Sequence, residues 1–205
     1  MIIDERMVTY INSLDTGHTP FLENLERTAK QTKVPIIRRE MQSFLKVFLK
    51  MKQPKRILEV GTAVGFSAVF MAQYGEPDAE ITTIENYEKR ITLIPGDAAE
   101  VLKTLDGPYD FIFMDAAKGQ YIHFLPEVLR VLDKNGVLIT DNVLQDGDVI
   151  ESRFAVERRN RTIHKRMREY LFELTHNEGL LTSVVPLGDG IAITMKSHEK
   201  REETT

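Results

Sequence analysis

The stretches Phe111-Ile-Phe-Met-Asp115-Ala-Ala-Lys118 and Val137-Leu-Ile-Thr-Asp141-Asn142-Val143 each carry an apolar, strand-length run into oxygen-bearing side chains. A continuous apolar run of this length reads as a strand buried on both faces, which occurs in parallel sheets covered by helices. In such open sheets ligands sit beyond the carboxyl ends of the strands. The pattern therefore predicts that Asp115, Asp141 and Asn142 meet at one sheet edge, with Lys118 about a turn further on. Three oxygen donors beside an ammonium suit a hard divalent cation, Mg2+ or Ca2+, rather than a softer metal.

Working outward, β-rich runs at 56–60, 81–84, 91–95, 109–114 and 136–140 alternate with helical stretches at 67–74, 98–105 and 121–132. That alternation predicts an α/β, doubly wound fold, a mostly parallel sheet with helices on both faces. Ahead of it, Phe44, Leu45, Val47, Phe48 and Met51 fall at helical spacing, so two or three helices are expected before residue 53. Behind it, 181–186 and 191–196 flank Gly188-Asp189-Gly190 and read as a C-terminal antiparallel hairpin. The whole is read as one domain over 1–205, with N-terminal helices to 52, a core over 53–196 and a polar tail from 197. One connection stands out. About five residues separate Glu85 from Ile91, whereas a parallel crossover takes roughly a dozen or more. Either the two strands pair differently or a segment between Arg90 and Ile91 is absent, and the ordinary length of every other crossover favours the second.

Composition narrows the classes. A chain of 205 residues, 42% hydrophobic, is large enough for one full core. A formal charge of -4 argues against a protein that coats nucleic acid indiscriminately. The absence of cysteine excludes disulfides, thiolate nucleophiles and cysteine-ligated metals. The apolar runs are strand-sized, and Asp4, Glu5 and Arg6 do not begin a secretory leader, so a cytoplasmic protein with no membrane partner is expected. The five histidines form no ligand pair and are expected at the surface, while most methionines, Met7 and Met51 among them, read as core fillers.

Ile57-Leu-Glu59-Val-Gly61-Thr62-Ala-Val-Gly65-Phe-Ser67 reads as a buried strand, a glycine turn and a helix start, where free amides meet a ligand. Its spacing is not that of a dinucleotide site, and Glu59 suits a ligand ammonium better than a pyrophosphate. Glu85, ending the next strand, is placed to accept both hydroxyls of a ribose. Gly96-Asp97-Ala98 offers a carboxylate at a helix start, which by itself reads as an N-cap more readily than as a base contact. Residues 153–168 hold seven Arg and Lys against Glu157 alone among acids, with Arg158, Arg161, Lys165 and Arg168 forming one stripe if the segment is helical. Such a field suits a phosphate backbone.

Taken in order, Glu59-x-Gly61, Glu85, Gly96-Asp97-Ala98, Asp115-x-x-Lys118 and Asp141-Asn142 resemble the metal-dependent class I O-methyltransferases of the catechol and caffeoyl-CoA type. The resemblance runs from about Val34 to Lys196 and implies a Rossmann-like methyltransferase fold. By position it implies that Ile37, Glu59, Gly61, Thr62, Gly65, Ser67, Glu85, Asp97, Ala98 and Asp115 bind S-adenosylmethionine. It also implies that Asp115, Asp141 and Asn142 ligate Mg2+, and that Lys118, with Asp115, is catalytic. The run from Asp115 to Tyr121 and the arginine-rich segment are similar to bacterial tRNA 5-hydroxyuridine methyltransferases. That likeness implies action on the wobble base of a tRNA anticodon loop, with Arg158, Arg159, Arg161 and Lys165 on the RNA; Tyr121 and Phe154 are candidates to stack on the base and equally candidates for the core. Small catechol-like or CoA-linked phenols are the alternative acceptors, and a non-catalytic nucleotide- or RNA-binding module is the alternative class. Members of such families commonly pair, so a homodimer is expected.

Overall fold

The computed structural model describes residues 4–84 and 91–197. Helices α1 (Glu5–Ser13), α2 (Pro20–Gln31) and α3 (Arg39–Lys52) come first. They are followed by β1 (Arg56–Val60), α4 (Phe66–Tyr74), β2 (Glu80–Thr83), β3 (Ile91–Leu93), α5 (Ala98–Thr104), β4 (Tyr109–Met114), α6 (Tyr121–Val131) and β5 (Leu132–Thr140). Helix α7 (Arg161–His176) then leads into β6 (Leu180–Val185) and β7 (Ile191–Lys196). One sheet results, in the order β3-β2-β1-β4-β5-β7-β6. It is parallel from β3 to β5, and β7 lies antiparallel between β5 and β6. The doubly wound α/β fold with its terminal hairpin is the one expected.

Alternate residues of the central strands feed two cores, because successive side chains of a strand point to opposite faces. Leu58, Val60, Ile112, Met114 and Leu138 pack with Leu102, Leu125, Val128, Met167 and Tyr170 from α5, α6 and α7. Ile57, Phe111, Phe113 and Ile139 pack with Leu22, Met41, Leu45, Leu49, Phe66 and Phe70 from α2, α3 and α4. Helices on both faces leave no polar face on β4, which is why 111–114 run apolar without alternation.

Several expectations are corrected. Strand β5 begins at Leu132 rather than 136, since Leu132 already pairs with Tyr109 before a register shift. Helix α7 begins at Arg161, so Arg158 and Arg159 lie in a single 3-10 turn ahead of it and the basic residues do not form one helix face. His164 is buried, its Nε2 3.2 Å from the Glu151 carbonyl oxygen. Met7 and Met51 are exposed, because α1 buries no residue and Met51 sits on the outer face of α3. Strands β2 and β3 pair in parallel, Ile81 beside Ile91, which excludes the alternative pairing. Glu85 and the junction at Arg90 lie outside the described residues. Among the described residues no helix is long and apolar enough to cross a membrane.

Candidate active site

The turn from β1 to α4 contains three residues in the left-handed region, Gly61 (φ 92°), Ala63 (φ 47°) and Gly65 (φ 77°). At Gly61 there is no room for a side chain: a Cβ would lie 2.2 Å from the Asp115 carbonyl oxygen and 2.8 Å from Ala116 Cα. The loops after β1 and β4 thus touch backbone to backbone. The ladder continues past both strand ends, since Asp115 N donates to the Val60 carbonyl and Asp141 N to that of Met114, each at 3.0 Å. Three adjacent strands therefore deliver their terminal residues to one place. Gly61→Ala is expected to lose about 2–5 kcal/mol, from overpacking together with a strained φ. A denaturant titration checks this, and a loss below about 1 kcal/mol would show that the two loops part freely.

Glu59 is fully buried just before this turn. Its Oε2 accepts from Thr62 Oγ1 at 2.8 Å and from Thr83 Oγ1 at 2.6 Å. Burial pushes its carboxyl above the usual range, while the hydroxyls of Ser67, Thr83 and Thr62 act the other way and the charge of Asp115 adds to the rise. Oε1 is buried and has no hydrogen-bond partner among the described residues. A buried acceptor left over in an otherwise satisfied cluster is a place for a donor that arrives with a ligand.

Beyond β4 and β5, Asn142 Nδ2 donates to Asp115 Oδ1 at 3.2 Å, and Asn142 N to Asp141 Oδ1 at 2.7 Å. Asn142 adopts φ 61°, a conformation that asparagine tolerates better than most residues. Desolvation raises the Asp115 carboxyl, with the charge of Lys118 and the Asn142 hydrogen bond opposing it. Asp141 is pushed up to about 7, first by burial and then by the charge of Asp115. Neither aspartate caps a helix. Among the described residues no three Asp, Glu or His side chains converge to ligate one ion, so the donor set here is two carboxylates and an amide.

From the sequence Asp189 is expected only as the middle of a glycine turn, not at the site. It sits in the β6–β7 turn with 2% of its surface exposed, and its Oδ2 accepts from Lys118 Nζ at 3.0 Å. Its Oδ1 accepts from Asp146 N. Asp115, Asp141, Asn142, Lys118 and Asp189 line a cavity of about 470 Å3 with Ile37, Arg38, Met41 and Ala63. Arg38 reaches from the start of α3 to Asp146 at 3.2 Å. A second groove of about 290 Å3 starts at Lys118 and passes Asp146 and Asp148 to Asn160 and Ile163.

The other predicted residues divide. Ile37 and Asp115 line the cavity. Gly61, Thr62, Gly65 and Ser67 lie at the β1 turn, joined to it through Ala63 and the Gly61–Asp115 contact. Asp97 and Ala98, at the far side of the sheet, do not line it; Asp97 is exposed and caps α5 through Ala99 N at 2.8 Å. Tyr121 is wholly buried, its hydroxyl donating to the Asp141 carbonyl at 3.2 Å, so it cannot stack on a base. Phe154 is 85% exposed. Arg159 pairs with Glu157 at 2.7 Å and Lys165 with Glu169 at 3.4 Å. Arg161 is half-buried, its Nε donating to the Val156 carbonyl. Arg166, left out of the expected RNA-binding set, donates to the Gly119 carbonyl at 3.0 Å and braces the turn that carries Lys118.

Known proteins share this fold. A crystal structure of a caffeoyl-CoA O-methyltransferase candidate from Staphylococcus aureus is similar with a TM-score of 0.80, at 30% identity, covering 94% of this chain and 98% of that one. The S-adenosylhomocysteine-bound methyltransferase PaMTH1 of Podospora anserina superposes with a TM-score of 0.83 at 24% identity, covering 94% of each chain. In sequence, the catechol O-methyltransferase of Mycobacterium tuberculosis is 26% identical over 160 residues, 69% of this chain and 73% of that protein. A caffeoyl-CoA O-methyltransferase of Nicotiana tabacum is 29% identical over 178 residues, 73% of this chain and 72% of its own length. The O-methyltransferase family model matches residues 12–90 and 86–197, breaking at the short connection before β3. With nearly its whole length matched by that model, and with the strand-end constellation just described, the chain belongs to the O-methyltransferase family.

Proposed function

We propose that this chain transfers the methyl group of S-adenosylmethionine to an acceptor with two neighbouring oxygens, in the presence of a divalent cation, Mg2+ by preference. One observation carries the reading: Asp115, Asp141 and Asn142, brought from two strand ends, line the same cavity as Lys118. The residues fit both groups. The unpaired Glu59 Oε1 suits the amino group of the methionine part, and the glycine turn lets backbone approach it. Three aspartates against Lys118 and Arg38, the latter already paired with Asp146, leave negative charge for a cation to balance.

When bound, S-adenosylmethionine supplies an electrophilic methyl carbon, and a divalent cation at the aspartates favours ionisation of an acceptor hydroxyl. The protein contributes position and charge. Glu59, Gly61, Thr62, Gly65 and Ser67 hold the methionine part, Ile37 forms a wall, and Glu85, Asp97 and Ala98 are assigned to the ribose and adenine. Asp115, Asp141 and Asn142 hold the cation. Lys118 presents Nζ to the acceptor oxygen and stabilises the charge that develops there. Holding the two reactants in line lowers the barrier further.

For the acceptor, the preferred reading is a tRNA wobble 5-hydroxyuridine, whose O5 and O4 form the required oxygen pair. It is supported by the exposed Phe154, by the exposed Arg153, Arg158, Arg159, Lys165 and Arg168, and by the groove from Lys118 to the start of α7. A base in an anticodon loop is already unpaired, so little energy is needed to splay it out. The second reading, a small catechol-like or CoA-linked phenol, is supported by the size of the cavity and by the relatives it resembles. A second copy of the chain would cover the exposed Met7, Tyr10 and Ile11 of α1 and Leu14 just after it.

Labelled methyl transfer to catechol, caffeoyl-CoA and tRNA lacking wobble methylation, with and without EDTA, tests the proposal. Transfer is expected to stop with chelator. If tRNA is the acceptor, replacing Arg158, Arg159 and Arg161 with alanine lowers activity on the order of tenfold or more, with a shallower salt dependence. Methylation of a phenol is expected to stay within about twofold, since no phosphate is engaged. Full turnover in excess EDTA overturns the cation, and no transfer to any acceptor overturns the enzyme.

A further inference from the structure

We propose that Asp189 is a positioning residue for methyl transfer, fixing the Lys118 ammonium at the cavity. The proposal rests on the role given to Lys118 above. Lysine carries its charge on a flexible four-carbon stem, and the Lys118 side chain is 35% exposed at a short 3-10 turn. Left alone it would spread over many rotamers, because ordering a long side chain costs conformational entropy. Asp189 removes that freedom. Its Oδ2 holds Nζ at 3.0 Å, while its Oδ1 takes the amide of Asp146 and its backbone carbonyl takes that of Leu144 at 3.0 Å. One buried residue thus ties together the turn after β4, the segment after β5 and the hairpin.

The hairpin turn is built to hold this place. Gly188 and Gly190 are both left-handed, and a Cβ at Gly190 would lie 2.2 Å from Leu144 Cγ, so the turn lies flat against the β5 segment. Both carboxylate oxygens are engaged, which leaves Asp189 poorly suited to ligate a cation. Holding the turn does not require the lysine either, because Asp189 already ties the hairpin to the segment after β5 through the amides of Asp146 and Leu144. Positioning does. The antiparallel hairpin then has a task beyond closing the sheet edge: its docking on β5 sets where the ammonium stands.

Asp189→Asn keeps an oxygen for the Asp146 amide and removes the charge that holds Lys118. In full-length protein carrying ε-13C-lysine, with the Lys118 signal assigned from its loss in Lys118→Arg, the wild type is expected to show a shifted, ordered resonance. In Asp189→Asn that resonance moves to the mobile lysine position. With S-adenosylmethionine, Mg2+ and whichever acceptor the wild type methylates, kcat is expected to fall about 10- to 100-fold. KM for both substrates stays within about twofold. In a Lys118→Ala background the same substitution costs less than about twofold more, because Asp189 acts through the lysine. An unmoved Lys118 resonance, or an equal loss in both backgrounds, overturns the proposal. If Lys118→Ala alone leaves turnover intact, the role assigned to the lysine fails instead, and the resonance still decides whether Asp189 fixes it. Asp189→Glu, retaining the charge, is expected to recover part of the rate.

Discussion

Asp141→Asn is expected to raise the melting temperature of the metal-free protein above pH 7 while slowing methyl transfer on the order of a hundred- to a thousandfold. The two effects have one cause. Asp141 is 5% exposed and its carboxyl is pushed up to about 7 from the ordinary 3.8, by burial first and by the charge of Asp115 second. Between these values the folded protein holds a proton that the unfolded chain has released. Stability therefore falls as pH rises from about 4 to 7 and stays low above it. The shift sets a ceiling of about 4 kcal/mol on the penalty. Asparagine fills the same volume and still offers Oδ1 to the Asn142 amide, now 2.7 Å away, without the charge. Its melting temperature should thus vary less with pH in EDTA than that of the wild type. A cation returns the penalty to the wild type as binding energy, so Mg2+ is expected to raise the wild-type melting temperature and to leave the variant near its metal-free value. Melting curves from pH 5 to 8.5, with EDTA and with Mg2+, check this beside turnover. A variant no more stable than wild type in EDTA at pH 8, or one that retains full turnover, refutes the account.

What was readable in the sequence follows the range of the forces involved. Strand β4 and the second half of β5 announced themselves because burial on both faces requires an unbroken apolar run, and a carboxylate ending such a run has few places to go except a ligand site. Asp115, Asp141 and Asn142 were legible for that reason. Asp189 was not. A turn of the form Gly-Asp-Gly is explained locally by backbone conformation, and nothing within it tells that the hairpin folds back to place a carboxylate 3.0 Å from Lys118. The basic segment failed in the opposite direction. Its charges were plain, but the start of α7 at Arg161 and the neighbours Glu157, Glu169 and the Val156 carbonyl decide which of them face solvent unengaged. Histidine 164 went astray because its partner, a backbone carbonyl at Glu151, leaves no trace in residue identity. At Asp97 the plainer reading held: it caps α5, and any contact with a base is additional to that.

Glu59→Gln is expected to weaken binding of S-adenosylhomocysteine roughly 10- to 150-fold, as loss of a charge-assisted hydrogen bond does. Three hydroxyls surround the carboxylate, and two of them share Oε2, from Thr62 at 2.8 Å and Thr83 at 2.6 Å. Ser67 is the third of these neighbours, yet Oε1 receives no well-formed hydrogen bond among the described residues, an opening that a carboxylate needed only for structure would not keep. Desolvation already raises this carboxyl, so the arrangement is held against its own electrostatics until a cationic donor arrives. Glutamine preserves the shape and an oxygen for the threonines, but it puts two donors where the ligand's ammonium must come, turning attraction into repulsion. Calorimetry with S-adenosylhomocysteine isolates this contact, because that ligand has the amino group without the sulfonium charge. An analogue lacking the amine supplies the control: it should bind wild type and Glu59→Gln within about twofold of each other. An equal loss for both ligands would assign Glu59 to the shape of the turn and move the amino group elsewhere. A loss confined to the amine-bearing ligand would place the methionine end against β1, on the Asp115 side of the sheet, where an acceptor in the cavity can meet the methyl carbon.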